Sequence, residues 1–270
     1  MVYVAIRKES INGRVEVTSM ELRLISFNVR CCDDPDGNSI AERAPRLKKV
    51  VEPIDADVIA LQEIRPQWVP EIEAMFSDRY EAFLCYRSVE KPEGLITLWK
   101  KERFLCLDKG YFWFSETPER ESFGWDEKYH RPRICSYVVL QEKGSATSFL
   151  LMNTHFGFGD DGQVKSARLI HKYRNNFPHL KAIVTGDFNM TNTSLGYQAM
   201  IENFVDVNAV TVNDRRATYH AYAPSPEQKT HIDFFFCDEN VRPSDFRLID
   251  EAVDGKYPSD HFGICTTLLL

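Results

Sequence analysis

Lys181-Ala182-Ile183-Val184-Thr185-Gly186-Asp187-Phe188-Asn189 is a short apolar run broken by a glycine, with a carboxylate and an amide directly after the break. Five residues without a polar alternation suit a strand covered on both faces. Glycine permits a tight backbone turn, so the run predicts a buried strand whose mouth presents Asp187 and Asn189 side by side. By themselves Gly, Asp and Asn also make an ordinary turn. What decides the matter is that the same pattern recurs elsewhere in the chain.

Leu22 to Phe27 is closed by Asn28, Asp57 to Gln62 by Glu63, and Ser148 to Asn153 by Thr154-His155. Asp233 opens the run Phe234-Phe235-Phe236, just after His231, and Ser259-Asp260-His261 stands before Gly263 to Leu269. A carboxylate at the mouth of a buried strand is costly unless it is paired, hydrogen-bonded or metal-bound. An Asp beside an imidazole fixes the tautomer and favours the cation, as acid–base work or phosphate stabilisation needs. Further strands are predicted at Tyr80–Tyr86, Gly94–Trp99, Arg103–Leu107 and Ile134–Leu140. Helical spacing appears at Ile40–Ile54, Pro66–Phe76 and Gln163–Phe177.

The chain has 270 residues, 43% of them hydrophobic, with no Pro/Gly/Ser linker and no repeat, so one domain is the simplest organisation. Residues 1–20 stand apart: Val2–Ile6 and Val15–Val17 flank Asn12-Gly13, which reads as an extra hairpin or an appended segment before a domain spanning 21–270. No stretch reaches the roughly 18 apolar residues of a membrane span. Arg7, Lys8 and Glu9 fall where a secretory leader would be apolar. The seven cysteines form no CxxC pair and lie mostly in apolar runs, as buried residues of a reducing compartment do. A cytoplasmic monomer is the expectation; the adjacent Cys31-Cys32, close after Asn28, is the one cysteine feature that stands out.

A net charge of −7 argues against a protein that coats duplex nucleic acid. It leaves phosphoesters open as substrates, since a bound cation supplies local positive charge. Zinc-type Cys/His spacing, an HExxH helix, an EF-hand loop, a phosphate-binding GxxxxGK[ST] loop, a GxGxxG turn and a GxSxG elbow are all missing. The remaining donors are Glu, Asp and Asn oxygens, which favour Mg²⁺ or Mn²⁺ completed by water and a substrate phosphate.

The order of these elements resembles the endonuclease/exonuclease/phosphatase superfamily from about Glu21 to Leu270. Leu61-Gln62-Glu63 is similar to its "LQE" motif, Asn153-Thr154-His155 to "NTH", Gly186 to Asn189 to "GDFN", His231 to Phe236 to "HIDFIF", and Ser259-Asp260-His261 to "SDH". A narrower likeness, over Gly110 to Pro118, Gly124-Trp125-Asp126 and Arg131-Pro132-Arg133, is to a bacterial branch related to deadenylase-like members.

The resemblance implies an α+β, DNase I-like fold: a four-layer α/β/β/α sandwich of two packed sheets flanked by helices. It implies a metal-dependent phosphoesterase in which Glu63, with Asp260 and Asn28, holds Mg²⁺ (or Mn²⁺). Asp187 and Asn189 would then handle the attacking water, His261 oriented by Asp233 would stabilise charge or move a proton, and His155 and Arg133 would bind phosphate. A small or lipid-derived phosphoester is the favoured substrate. The alternative is a nuclease on single-stranded RNA or DNA, which would gain support if Phe112 and Trp113 prove exposed for base stacking rather than buried in the core. A noncatalytic binding protein on the same scaffold should have lost one of these residues, and none is lost. Val29-Arg30 after Asn28, where apurinic endonucleases have a Trp-Asp-like pair, sets DNA repair aside.

Overall fold

The computed structural model describes residues 19–270, so the expected N-terminal hairpin lies outside the described residues. In chain order the strands are β1 (Glu21–Asn28), β2 (Val58–Ile64), β3 (Tyr80–Tyr86), β4 (Gly94–Lys100), β5 (Phe104–Trp113), β6 (Ile134–Glu142), β7 (Ser148–His155), β8 (Lys181–Asp187), β9 (Val205–Asp206), β10 (Asp233–Cys237), β11 (Arg242–Pro243), β12 (Arg247–Ile249) and β13 (Gly263–Leu269). The helices are α1 (Ile40–Val51), α2 (Val69–Phe76), α3 (Asp160–Arg174), α4 (Leu195–Ile201) and α5 (Val207–Val210).

They build two sheets. One runs β11-β13-β1-β2-β4-β3, with β12 on β13, and the other β5-β6-β7-β8-β10-β9. Leu22, Leu24, Val58 and Trp99 of the first pack on Val138, Phe149, Leu151, Ile183 and Phe235 of the second. The outward face of the first sheet is covered by α1 and α2 through Leu47, Val50 and Ile72, that of the second by α3 and α4 through Ala167, Ile170 and Met200. The result is the α/β/β/α sandwich of a DNase I-like, α+β fold. Full burial of each such side chain contributes about 1.5–3 kcal/mol, which is why the central strands are apolar on both faces.

Each sheet has one parallel pair at its middle, β1 with β2 and β7 with β8, and antiparallel neighbours on either side. This arrangement positions the site. The parallel strands end together, at Asn28 and Glu63 in one sheet and at His155 and Asp187 in the other, while antiparallel β10 and β13 begin at that same end. Asp187 is in register with His155 on one side and Asp233 on the other.

Beneath this end a polar rung crosses the sandwich: the Gln62 amide donates to Asn153 Oδ1 at 2.9 Å, and Asn153 Nδ2 donates to the Leu61 and Ile96 carbonyls. This buried pair, in which only Gln62 Oε1 among its amide atoms lacks a partner, fixes the relative register of the two sheets, because sliding either one breaks the donors' bonds.

Gly186 is the position where glycine is required. Its φ is +145°, and a Cβ there would overlap the Thr154 carbonyl oxygen of the parallel neighbour. We expect Gly186→Ala to cost about 2–3 kcal/mol of stability, the upper part of the range for a strained backbone position. A urea unfolding curve checks this; a loss below about 0.5 kcal/mol, the scatter of neutral surface changes, contradicts it.

The strand read from the sequence as Arg103–Leu107 runs on to Trp113. Leu105 and Leu107 are exposed on an edge strand, and the register shifts at Cys106/Asp108, so the apolar pattern fails where the strand continues. Phe112 is 0% and Trp113 9% exposed, and the Trp113 indole donates to the Arg87 carbonyl at 2.8 Å; both are core residues, not stacking platforms.

Candidate active site

Asn28 ties the two sheets together. Its Nδ2 donates to Glu63 Oε1 at 3.1 Å in its own sheet and to Asp187 Oδ2 at 2.9 Å in the other, while its Oδ1 accepts from the Arg30 N–H at 3.0 Å. The sequence reading puts Asn28 beside the cation. In the structure its donor end faces the carboxylates, so Asn28 positions Glu63 and Asp187, and its oxygen accepts one hydrogen bond.

Glu63 sits at a register shift in β2 with φ +63°, a conformation that costs a non-glycine residue about 1–2 kcal/mol. A bulge re-aims a side chain that a regular strand would direct elsewhere. The second carboxylate oxygen accepts the Cys31 N–H at 2.8 Å. Burial alone would raise this group; the His155 and His261 rings and the Cys31 and Asn28 donors outweigh it and hold Glu63 below the usual carboxylate range.

The turn that supplies Cys31 and Arg30 is built on a buried guanidinium: Arg43 donates to the carbonyls of Val29, Arg30, Cys32 and Asn38 and lies over the Trp68 ring. Nothing in the local sequence around Arg43 announces this role.

On the second sheet, Asp187 Oδ1 accepts the Asn189 N–H at 2.9 Å. Its Oδ2 lies 3.5 Å from His155 Nε2 and 3.8 Å from His261 Nε2. Burial, with Asp233 adding to it, raises the Asp187 carboxyl to about 7. His261 Nδ1 is 2.9 Å from Asp233 Oδ2, and although burial opposes the charge, Asp233 lifts the imidazolium to about 10. His155 goes the other way: burial, then Arg133, pushes it well below its ordinary value, against the pull of Glu63. Asn189, at φ +49°, donates its side-chain amide to the Phe156 carbonyl at 3.0 Å. His231 does not join the group: its ring nitrogens meet the Arg216 carbonyl and Asn208.

Arg133 is buried, with Nε donating to Asp126 Oδ2 at 3.1 Å and Nη1 lacking any hydrogen-bond partner among the described residues. Asp260 is 3.8 Å from Arg30 Nε, and Ser259 Oγ donates to the Asn28 carbonyl at 2.6 Å. Glu63, Asp187, His155, Asp260, His261 and Arg133 all line one cleft of about 570 Å³, with Asn189 at its wall. Arg30 and Tyr219 also line it, the latter packing on His261 at 5.1 Å, and the sequence offers no signal for either.

Two places in the cleft have donors for a cation. Asp187, Asp233 and His261 present atoms within 4.8 Å of one another; the His261–Asp233 hydrogen bond occupies Nδ1 and Oδ2, and Asp233 Oδ1 has no hydrogen-bond partner among the described residues. Glu63 and Asp260 also line the cleft. Burial, with Glu63 adding to it, raises the Asp260 carboxyl, the condition that a cation near the two carboxylates relieves. The donors are all oxygens, as Mg²⁺ or Mn²⁺ prefers.

Two sheets flanked by helices, with carboxylates and imidazoles converging at one end, define a phosphoric ester hydrolase. The sequence model of the endonuclease/exonuclease/phosphatase family matches residues 25–261, and the chain belongs to that family. A solved family protein from Bacteroides thetaiotaomicron is 26% identical, covers 94% of this chain and 99% of its own, and superposes with a TM-score of 0.84. A mannosyl-6-phosphatase of the same organism is 25% identical over 92% of this chain and 100% of its own, TM-score 0.80. TDP2 of D. rerio, solved with a single-strand DNA product, shares the fold at 19% identity, covering 92% of this chain and 98% of its own, TM-score 0.69. No curated protein sequence matches the chain. Among the described residues no helix is long and apolar enough to cross a membrane.

Proposed function

We propose that the protein hydrolyses a compact phosphoester with the help of Mg²⁺ or Mn²⁺. The observation that carries this reading is the buried Asp187 carboxylate, set 3.5 Å from His155 Nε2 and 3.8 Å from His261 Nε2 and raised to about 7. A base poised near neutrality beside a fixed positive charge is what water attack on phosphorus requires.

Asp187 would take the proton of the attacking water, oriented from beside it by Asn189. As the water oxygen bonds to phosphorus, the bond from phosphorus to the leaving oxygen breaks, and the leaving oxygen takes up a proton from solvent. His261, held by Asp233, would neutralise charge developing on the phosphoryl oxygens. His155 and Arg133 would bind those oxygens, a planar guanidinium being suited to phosphate. Glu63 and Asp260 would hold the divalent ion, with Asn28 fixing Glu63; when bound, the ion supplies the remaining positive charge at the phosphate.

Burial of Phe112 and Trp113 favours a compact substrate over a single nucleic-acid strand. So does the 25%-identical neighbour described as a mannosyl-6-phosphatase. The test is a panel of p-nitrophenyl mono- and diesters, hexose phosphates, phosphoinositides and oligonucleotides with each metal. We expect a compact phosphoester to be turned over best, and Arg133→Ala to raise KM more than it lowers kcat. Preferred cleavage of oligonucleotides, with a log–log salt slope of binding steeper than about −3, would replace this reading by the nuclease one.

A further inference from the structure

Beside the catalytic cleft lies a second hollow of about 700 Å³, and Glu93, Tyr129 and Arg131 line both. A molecule with a phosphate in the cleft therefore extends directly into it. In a chain of net charge −7, this hollow gathers Arg65, Arg87, Lys91 and Arg131, against the carboxylates of Glu90, Glu93 and Glu121. Glu93 engages two of them, at 2.8 Å from Arg87 and 3.7 Å from Arg65.

Arg131 and the adjacent Lys128 are held differently. The Arg131 Cζ and the Lys128 Nζ each lie 5.0 Å from the centroid of the Tyr129 ring, which packs edge-on against Phe158 at 5.3 Å. Neither cation forms a salt bridge among the described residues. An aromatic ring orients a cation without neutralising it, so the charge and the N–H donors stay available. Tyr129 is 46% exposed and Phe123, on the far wall, 78%, which gives the hollow apolar surface for a carbon frame.

The guanidinium groups also crowd one another. Arg133 and Arg87 line a narrow void with Glu93 and His155 between the two hollows. Burial, reinforced by Arg133 and Arg131 against the pull of Glu93, brings Arg87 down to about 10. An anion placed among them relieves that repulsion.

Building on the phosphoesterase reading, we propose that this hollow binds a second phosphate of the substrate through Arg131 and Lys91, with Lys128 on the cleft side of the Tyr129 ring. The preferred substrate is then a compact molecule carrying two phosphate groups, one attacked in the cleft and the other held beside the Tyr129 ring.

The test is calorimetric titration of the Asp187→Asn chain, in Mg²⁺, with a hexose 6-phosphate and with the corresponding hexose 1,6-bisphosphate. The bisphosphate should bind at least about tenfold more tightly, the low end for hydrogen bonds to a charged group. Lys91→Ala with Arg131→Ala should remove that preference; both side chains are exposed, and an unchanged melting temperature verifies the fold. Equal affinities in the parent chain, or a preference that survives the double substitution, would overturn the proposal. Turnover by the wild-type chain is measured separately: preferential binding of the bisphosphate without hydrolysis of either compound keeps the second-phosphate site and defeats the phosphoesterase reading.

Discussion

Asp187→Asn is expected to lower kcat by about 10²–10⁴-fold, the range for loss of a general base. Both Asp187 oxygens accept hydrogen bonds, from Asn189 N–H and from Asn28 Nδ2. An asparagine keeps only one acceptor and turns an amide NH₂ toward the other donor. Stability should therefore fall as well, by about 1–3 kcal/mol for one buried donor left unsatisfied. The pH profile separates the two effects. Asp187 must lose its proton to act as a base, and its carboxyl is raised to about 7 by burial and then Asp233, so kcat/KM should rise with pH up to that region. His261 must keep its proton to carry charge. Asp233 sustains it, against burial, to about 10, so activity should fall above that value. In Asp187→Asn the rise near 7 should vanish while the alkaline fall remains in the residual rate. A rise near 7 that persists in the variant would assign the base elsewhere.

The sequence made the strand ends legible because the strands between the sheets are covered on both faces and read as unbroken apolar runs. A polar side chain closing such a run marks the mouth of the sandwich. That is why Glu63, His155, Asp187, Asp233 and His261 were visible before any coordinate. What stayed hidden depends on contacts between residues far apart in the chain. The left-handed bulge at Glu63 is set by its pairing with β4, and the turn over Cys31 by Arg43 and Trp68. The direction of the Asn28 amide depends on two carboxylates from different sheets. Helix α4 and the far half of β5 escaped notice because one is short and the other lies at an exposed edge, where apolar periodicity carries little information. The cationic rim around Tyr129 is a property of neither its composition nor its spacing, since an exposed Arg or Lys reads as ordinary solvated surface until the ring beneath it is located.

Glu63→Gln is expected to remove most Mg²⁺ affinity and to lower turnover by at least ~100-fold, the scale of losing one preorganised charge-stabilising element. The substitution keeps the shape and removes the charge. Cys31 N–H and Asn28 Nδ2 both donate to Glu63, so a glutamine oxygen can satisfy one of them while its NH₂ meets the other. Because Asn28 also bonds Asp187, part of the loss reaches the base through the displaced amide. Calorimetry of Mg²⁺ binding isolates the first effect from the second. It also decides between the two cation seats in the cleft. If the ion sits at Glu63 and Asp260, Glu63→Gln and Asp260→Asn each weaken binding, and Asp233→Asn changes the pH profile through His261 with little effect on affinity. If it sits instead among Asp187, Asp233 and His261, whose donor atoms lie within 4.8 Å of one another, Asp233→Asn abolishes binding and Glu63→Gln leaves it unchanged. The hydrogen bond between Asp233 and His261 at 2.9 Å leaves Asp233 Oδ1 unpartnered among the described residues, so the variants and not that bond distinguish the two seats.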